Sequence, residues 1–317
     1  MTEGLSDRLK RWVVDDAPDL PLPGAGFTDA RWLTLAALGR EDTVLGRLAE
    51  AHADALAILD ELGGPTPKRG HIWGVWAAEP PSPVLEASNG AHGWTLTGVK
   101  PWCSGAHLCT DALVTARTAD RSRLFAVDLT QDRCRPIPHT WHAVGMSRSD
   151  SGTVRFDGAR AVPVGEVGAY VERPGFWPGA IGVAAVWFGS ACAVADTLHT
   201  AVRSGADAHT KAHLGAVAAS LGAASSALTT AAAEIDTDPG DSDGRGRTRA
   251  RIVRAIVEHA ATDCIDRVGR ALGAAPLCAN GDHARRVADL TVYLRQSHAE
   301  RDLAALGDDI ATEENPW

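Results

Sequence analysis

The chain lacks the features that mark several well-known functional classes. Its 317 residues include 31 lysines and arginines against 40 aspartates and glutamates, and the net charge of −9 argues against a phosphate-tracking, nucleic-acid-binding surface. The six cysteines form no CxxC pair and no metal-ligand spacing, so we predict buried thiols and no metal site. P-loop, Rossmann glycine and G-x-S-x-G signatures are also absent.

Signals for secretion and for a membrane span are missing too. The N-terminal residues contain no basic segment followed by an apolar one, so we predict a cytoplasmic protein. The uncharged run at 179–195 is shorter than the roughly 20 residues that a transmembrane helix needs, and it contains three glycines. We therefore interpret it as a buried helix of a bundle and predict no membrane partner.

Periodicity divides the chain into three regions. Apolar residues recur at helical spacing within 29–62, short β-prone runs between turn residues fill the middle, and alanine-rich helical sequence follows from about residue 177. We predict an α+β fold with N-terminal helices at 1–66, a central antiparallel β domain at 67–172 and a C-terminal four-helix bundle at 173–317. The four helices of the bundle are expected at roughly 178–203, 207–236, 248–272 and 282–307.

Short motifs along the chain carry a family resemblance. Residues 97–106 (TGVKPWCSGA) are similar to the pattern L-x-G-x-K-x-W-[IC]-[ST]-[NGS]-[GA], and residues 75–80 (VWAAEP) are similar to [CA]-x-T-E-P. The weaker similarities are 144–151 to G-x-R-x-S, 154–159 to V-x-F-D-x-V-x-V-P, 270–274 to Q-x-x-G-G and 283–290 to R-x-x-R-D. In this order the chain resembles the acyl-CoA dehydrogenases from about residue 29 onward, which implies an acyl-CoA-dehydrogenase-like fold and FAD as cofactor.

The resemblance implies residues for the flavin ring. Trp102 would pack against the isoalloxazine and Ser104 would donate a hydrogen bond near its reactive edge, because a planar flavin needs an aromatic wall and donors along N5. Trp76 and Ala78 lie on the segment that meets the ring from the pyrimidine side. Ala78 stands where the family has threonine, so only backbone contacts remain there.

The adenine and diphosphate end of FAD is bound in the family partly by a neighbouring subunit. Arg270 and Gly273 occupy the place of the Q-x-x-G-G turn, and an arginine is a suitable donor for a diphosphate. The second motif of that end, R-x-x-F-G, falls on 203–206 and lacks its Phe-Gly. The resemblance thus implies a homo- or hetero-oligomer.

The catalytic glutamate of the family is missing from both of its usual positions. One position falls at Ser297, and the other falls within 183–189, which contains no acid. His298 is the remaining candidate base, because imidazole titrates near neutral pH. Glu300 lies about one helical turn away, and we expect it to face elsewhere.

Three functional hypotheses follow. The first is an FAD-dependent oxidoreductase that transfers hydride from an acyl thioester, such as an acyl-CoA, or a similar small substrate to flavin N5, with an electron-accepting flavoprotein as candidate partner. The second is a non-catalytic subunit that completes a hetero-oligomeric acyl-CoA dehydrogenase, since the N-terminal region is shorter than in the family. The third is a flavin-dependent monooxygenase of the same fold.

Overall fold

The computed structural model describes residues 4–119 and 121–312. The chain forms two compact units: a sheet unit, made of the residues up to Leu20, 48–143 and 147–176, and a helical unit, made of 21–47, 144–146 and the residues from Trp177 onward. The outer ends of the first and last predicted regions, 1–3 and 313–317, lie outside the described residues. The domain boundaries near residues 66 and 172 stay predictions.

Helices flank a central run of strands along the chain. The helices are α1 Leu5–Asp15, α2 Thr28–Glu41, α3 Thr43–Leu62, α4 Ala169–Glu172, α5 Phe176–Arg203, α6 Ala208–Thr237, α7 Gly246–Leu272, α8 Ala275–Ala279, α9 Gly281–Tyr293 and α10 Glu300–Ala311. The strands are β1 Trp73–Trp76, β2 Leu85–Gly90, β3 Gly93–Cys103, β4 Asp111–Arg117, β5 Ser122–Asp128, β6 Cys134–Ile137 and β7 Gly152–Val164. This mixture of helix and strand agrees with the predicted α+β class.

The strands of the sheet unit form one sheet whose central pairings close into a ring. The hydrogen-bonded order is β1-β4-β2-β3-β7-β5, β4 also pairs with β5, and β6 pairs with β7. Most pairs are antiparallel, but β1–β4 and β2–β4 are parallel. The prediction of an antiparallel domain was therefore incomplete, because strands that are not joined by a hairpin have no turn that imposes their relative direction.

Strands β4 and β5 are covered on both faces. One core cluster contains Leu96, Phe125 and Phe156, all fully buried. On the other face Leu113 packs in a cluster with Ile58 of α3. Successive strand residues point to opposite faces, so the near-continuous apolar runs of β4 and β5 serve both clusters.

The helices of the C-terminal region agree with the sequence prediction except for the last one. Helices α5, α6 and α7 begin and end within two residues of the predicted ranges. The predicted helix at 282–307 is divided into α9, a 3₁₀ turn at Leu294–Gln296, and α10. Ala299 has a φ of 48°, which a right-handed helix does not accommodate. The apolar spacing nevertheless continues across this break. The four-helix arrangement itself stays a prediction.

Two helices, α5 and α6, are long and apolar enough to cross a membrane by length and composition, with mean hydropathies of 1.6 and 1.3. The apolar window of α5 is 67% buried within the protein, as expected of a core helix, whereas that of α6 is 28% buried. Helix α6 owes its apolar character largely to alanine. These properties are weak evidence for a membrane, and the absence of a membrane partner stays a prediction.

Glycine allows a close approach between α2 and α5 in the helical unit. A Cβ on Gly189 would overlap the backbone carbonyl of Ala36, and a Cβ on Gly39 would lie 2.6 Å from the carbonyl oxygen of Val186. Ser190 adds a hydrogen bond from its Oγ to the carbonyl oxygen of Gly39 at 3.1 Å. The helices can pack at this distance only without side chains at these positions.

We expect Gly189→Ala to lower the free energy of unfolding by about 3 kcal/mol, because overpacking a rigid backbone contact forces the helices apart. Gly222→Ala on α6 is the matched control, since nothing lies within 4 Å of the added Cβ. The control should raise stability by up to about 1 kcal/mol through helix propensity. Urea unfolding followed by circular dichroism measures both, and equal effects would contradict this packing.

A buried histidine makes the sheet unit sensitive to acid. The His52 side chain is 3% exposed, and its Nδ1 accepts a hydrogen bond from the backbone N–H of Trp73 at 3.1 Å. Burial lowers the pKa of His52 to about 4 from 6.5. Between pH 6.5 and 4 the unfolded chain thus binds a proton at His52 that the folded protein does not bind. The stability that depends on neutral His52 is therefore present above pH 6.5 and is lost as pH falls toward 4.

His52→Asn keeps an acceptor but removes the titration. Between pH 7.5 and 4.5 we expect the variant to lose about 2 kcal/mol less stability than the wild-type protein does. Urea unfolding at the two pH values measures the difference. His92→Asn, an exposed histidine between β2 and β3, is the control. Equal losses in wild type and His52→Asn would show that His52 does not contribute to acid sensitivity.

Candidate functional site

The end of β3 presents a tryptophan to solvent. The register between β3 and β7 shifts between Lys100 and Cys103, which marks a β-bulge. Trp102 lies in this bulge with a φ of 58°, and it is 56% exposed. Bulges redirect side chains out of the strand's alternation, and left-handed backbone is costly for a residue with a large side chain. The sequence predicted Trp102 as a flavin-ring contact but gave no sign of its backbone conformation.

Buried hydrogen bonds hold the turn that follows. Trp76, at the end of β1, donates from Nε1 to the carbonyl oxygen of Ser104 at 3.0 Å. The backbone N–H of Gly105 donates to the carbonyl oxygen of Ser149 at 2.8 Å, and that of Ala106 donates to the carbonyl oxygen of Asp150 at 3.1 Å. Trp76 is therefore a buried anchor for the turn, and the flavin contact that the sequence predicted for it stays a prediction.

Three serine hydroxyls form a chain beside this turn. The Oγ of Ser151 lies 2.8 Å from the Oγ of Ser104 and 2.8 Å from the Oγ of Ser149. All three side chains are buried. Because a hydroxyl both donates and accepts, Ser151 orients the hydroxyl of Ser104. The sequence analysis did not single out Ser149 or Ser151, although the similarity of 144–151 to G-x-R-x-S covers both.

The remaining predicted contact of the sheet unit, Ala78, is exposed in the segment after β1. Trp76, Trp102 and Ser104 are thus brought together around one turn, and Ala78 follows two residues after Trp76. All four lie in the sheet unit. Their roles toward a flavin stay predictions.

Arg270 and Gly273 lie at the C-terminal end of α7 in the helical unit. Gly273 ends this helix with a φ of 63°, a conformation that favours glycine, and its N–H donates to the carbonyl oxygen of Gly269 at 2.8 Å. Arg270 is exposed and lies 3.6 Å from Asp266 in an exposed ion pair, which contributes little to stability. This geometry accounts for Gly273 as a helix cap, while a diphosphate-binding role for either residue stays a prediction.

His298 precedes α10 in the helical unit and is 58% exposed. Its Nδ1 lies 3.2 Å from Asp302 Oδ1, and its backbone N–H donates to Asp302 Oδ2 at 2.9 Å. Asp302 thereby satisfies a free donor at the start of α10. Glu300 is exposed in the first turn of the same helix. The local geometry explains His298 as part of a helix start, and its role as a base stays a prediction.

Within the described ranges, no group of three or more histidine, cysteine, aspartate or glutamate side chains is placed to hold a metal ion. Two cysteines of the sheet unit, Cys103 and Cys134, are also unsuited to reaction as thiolates. Burial raises the pKa of the Cys103 thiol far above its ordinary value, and burial raises that of Cys134 to about 12. Neither of these two thiols is therefore a candidate nucleophile.

No protein-family model matches the chain, and no curated protein matches it. Solved structures match over almost the whole length. TdsC from Paenibacillus sp. A11-2, a dibenzothiophene monooxygenase, in complex with FMN and indole is 17% identical, with a TM-score of 0.76 and coverage of 96% of this chain and 94% of that chain.

Two further solved structures match similarly. KijD3 in complex with FMN and dTDP-3-amino-2,3,6-trideoxy-4-keto-3-methyl-D-glucose is 20% identical, with a TM-score of 0.67 and coverage of 98% and 93%. A nitrososynthase from Micromonospora carbonacea var. africana is 19% identical, with a TM-score of 0.73 and coverage of 96% and 94%. At these identities the comparisons establish the fold, and the chain has the acyl-CoA-dehydrogenase fold that its motifs predicted.

Proposed function

We propose that this protein is a flavin-dependent oxidoreductase of the monooxygenase type, with FMN as its cofactor and a small organic molecule as its substrate. The exposed, left-handed Trp102 carries this proposal. Strained backbone persists where the surrounding structure enforces it, and it concentrates at ligand-binding sites. An exposed indole beside a rigid turn is suited to cover one face of a planar aromatic ring.

The other groups of the turn fit a flavin as well. The hydroxyl of Ser104, oriented by Ser151, would donate to the polar edge of the ring. Trp76 would keep the turn in place through its bond to the Ser104 carbonyl. When bound, the flavin supplies two-electron redox chemistry and, in its reduced form, reaction with dioxygen. The contribution of the chain is to bind and orient the ring and to exclude water from the face that Trp102 covers.

FMN is favoured over FAD by two considerations. Residues 203–206 lack the Phe-Gly that the family uses at the adenine end, and the geometry of Gly273 is explained by its capping role. TdsC and KijD3, which share the fold, are each described with FMN. FAD, which the sequence predicted, is the alternative that the cofactor test distinguishes.

Monooxygenation is favoured over acyl-thioester oxidation because the second reaction needs a base at the substrate's α-carbon. Neither Ser297 nor the stretch 183–189 supplies a carboxylate, and His298 is exposed. An oxygen-dependent reaction does not require that base. Small-molecule binding by TdsC and KijD3 supports a small substrate. A cytoplasmic location and a homo-oligomeric state belong to this proposal.

Purified protein should bind FMN more tightly than FAD, measured by the change in flavin fluorescence on titration. Trp102→Ala should raise the dissociation constant for FMN about tenfold, which corresponds to the loss of about 1.4 kcal/mol of aromatic stacking. Phe27→Ala, which removes an exposed aromatic ring of the helical unit, is the control and should change nothing. Tighter binding of FAD than of FMN by the wild-type protein would contradict the FMN assignment. Equal affinities of Trp102→Ala and Phe27→Ala for FMN would contradict the role of Trp102.

The reaction is tested in the same preparations. With chemically reduced FMN and dioxygen, wild-type protein should convert indole, the small molecule seen with TdsC, to an oxygenated product detectable by mass spectrometry. Trp102→Ala should lose most of this product at subsaturating FMN, while Phe27→Ala should keep it. Bleaching of bound flavin by an acyl-CoA without dioxygen would instead support the dehydrogenase hypothesis.

The backbone strain at Trp102 gives a separate prediction. Trp102→Gly and Trp102→Ala both remove the indole, but glycine adopts a φ of 58° without strain. We therefore expect the glycine variant to be about 1 kcal/mol more stable than the alanine variant, although neither binds FMN well. Thermal and urea unfolding compare the two. An alanine variant as stable as the glycine variant would show that the backbone at this position is not strained.

A further inference from the structure

The sheet unit contains a polar cleft next to the predicted flavin contacts, and Ala78 lines it. This cleft of about 30 Å³, open to solvent, lies where the segment after β1 meets the ends of β3, β4 and β5. Its polar lining comprises Glu79, Lys100, Thr115, Arg117 and Ser122. Lys100 and Thr115 are buried, whereas Glu79 and Arg117 are exposed. Lys100 thus lines the cleft from its buried side, and the charged residues Glu79 and Arg117 line it from its exposed side.

The surroundings of Lys100 hold its amine in one place. The side chain is 3% exposed, and Nζ donates to the carbonyl oxygen of Thr115 at 2.6 Å and lies 2.8 Å from Thr115 Oγ1. An ammonium group has three donors, and these two contacts use two of them. The third donor has no protein partner among the described residues. In the neutral amine a lone pair takes the place of this third N–H, and the lone pair is available to an electrophile entering the cleft.

Burial also changes the protonation of this amine. It lowers the pKa of Lys100 to about 8, against the opposing influence of Glu79 and Cys103. At pH 7.5 about a quarter of the amine is then neutral, compared with about a thousandth for an ordinary lysine. A desolvated lysine of this kind is a nucleophile for carbonyl compounds.

Two further residues complete the site. Ser122 donates from Oγ to Glu79 Oε2 at 2.7 Å, and this bond fixes a carboxylate that is close enough to act electrostatically on Lys100. Arg117 lines the same cleft, and its guanidinium makes no hydrogen bond or ion pair within residues 4–119 and 121–312. A guanidinium without a protein partner is suited to bind a carboxylate.

We propose that Lys100 is a Schiff-base-forming lysine for small 2-oxo acids, with the ligand's carboxylate on Arg117 and its carbonyl carbon at Nζ. The lone pair of the neutral amine forms a C–N bond to the carbonyl carbon, and Glu79 carries protons between the amine and the carbonyl oxygen. The two amine protons leave with that oxygen as water, and an imine remains. The step involves no net oxidation or reduction, and it does not depend on a bound flavin.

Reductive trapping tests this proposal in the wild-type protein. The chain has four lysines, and Lys10, Lys68 and Lys211 are exposed internal controls. Flavin-free protein is incubated at pH 7.5 with glyoxylate and sodium cyanoborohydride, and the modified lysines are located by peptide mass spectrometry. We expect Lys100 to be labelled about tenfold faster than each exposed lysine. Labelling of the exposed lysines with none at Lys100 would overturn the proposal.

The carboxylate assignment has its own comparison. 2-Methylpropanal has the shape of glyoxylate without its charge, and it should label Lys100 about tenfold more slowly. Arg117→Gln, an exposed substitution, should reduce glyoxylate labelling to the level of the neutral aldehyde and leave 2-methylpropanal labelling unchanged. Equal labelling by both aldehydes, or no effect of Arg117→Gln, would overturn the assignment to 2-oxo acids. Loss of FMN binding leaves these expected results unchanged, so this proposal and the flavin proposal fail independently.

Discussion

The hydrogen bond from Trp76 Nε1 to the Ser104 carbonyl is the interaction on which the candidate site depends. It joins the end of β1 to the turn after β3 in a buried environment, where an unpaired carbonyl costs about 1–3 kcal/mol. With Ser104 held in this way, Ser151 orients its hydroxyl, and the adjacent bulge directs Trp102 into solvent. The backbone bonds from Gly105 to Ser149 and from Ala106 to Asp150 hold the rest of the same turn.

The end of β3 carries two unfavourable features within three residues. Trp102 has left-handed backbone. Burial lowers the pKa of Lys100 to about 8, and this shift corresponds to a cost of about 3 kcal/mol for burying the charged amine at pH values below 8. Leu96, Phe125 and Phe156 belong to one buried apolar cluster in the same sheet, and apolar burial of this kind stabilises the fold against such costs. Natural sequences depart from local rules mainly at functional sites, so the coincidence of both features on one strand end supports a ligand-binding role for this edge of the sheet.

Apolar spacing predicted α5, α6 and α7 closely, because long amphipathic or apolar helices depend mainly on local periodicity. The same spacing predicted one helix at 282–307 and missed the break at Ala299, since a backbone angle leaves no mark on hydrophobic pattern. Strand segments were also readable, but the parallel pairing of β1 with β4 was not, because partner choice is set by tertiary contacts. Trp102 and Ser104 were predicted by resemblance, whereas Lys100, Ser149 and Ser151 acquire meaning only from their neighbours in space.

The lack of a carboxylate at Ser297 and within 183–189, the two positions that the resemblance expects, bears on the choice among reactions of this fold. A base that removes an α-proton must be desolvated and aimed at the substrate, and the exposure of His298 and its contact with Asp302 satisfy neither condition. The turn at Trp102, in contrast, is rigidly built. Where a cofactor performs the difficult chemistry, the protein needs mainly to bind and orient it. On the proposed function, a chain with this turn and with no carboxylate at Ser297 or within 183–189 is better suited to oxygen chemistry than to dehydrogenation.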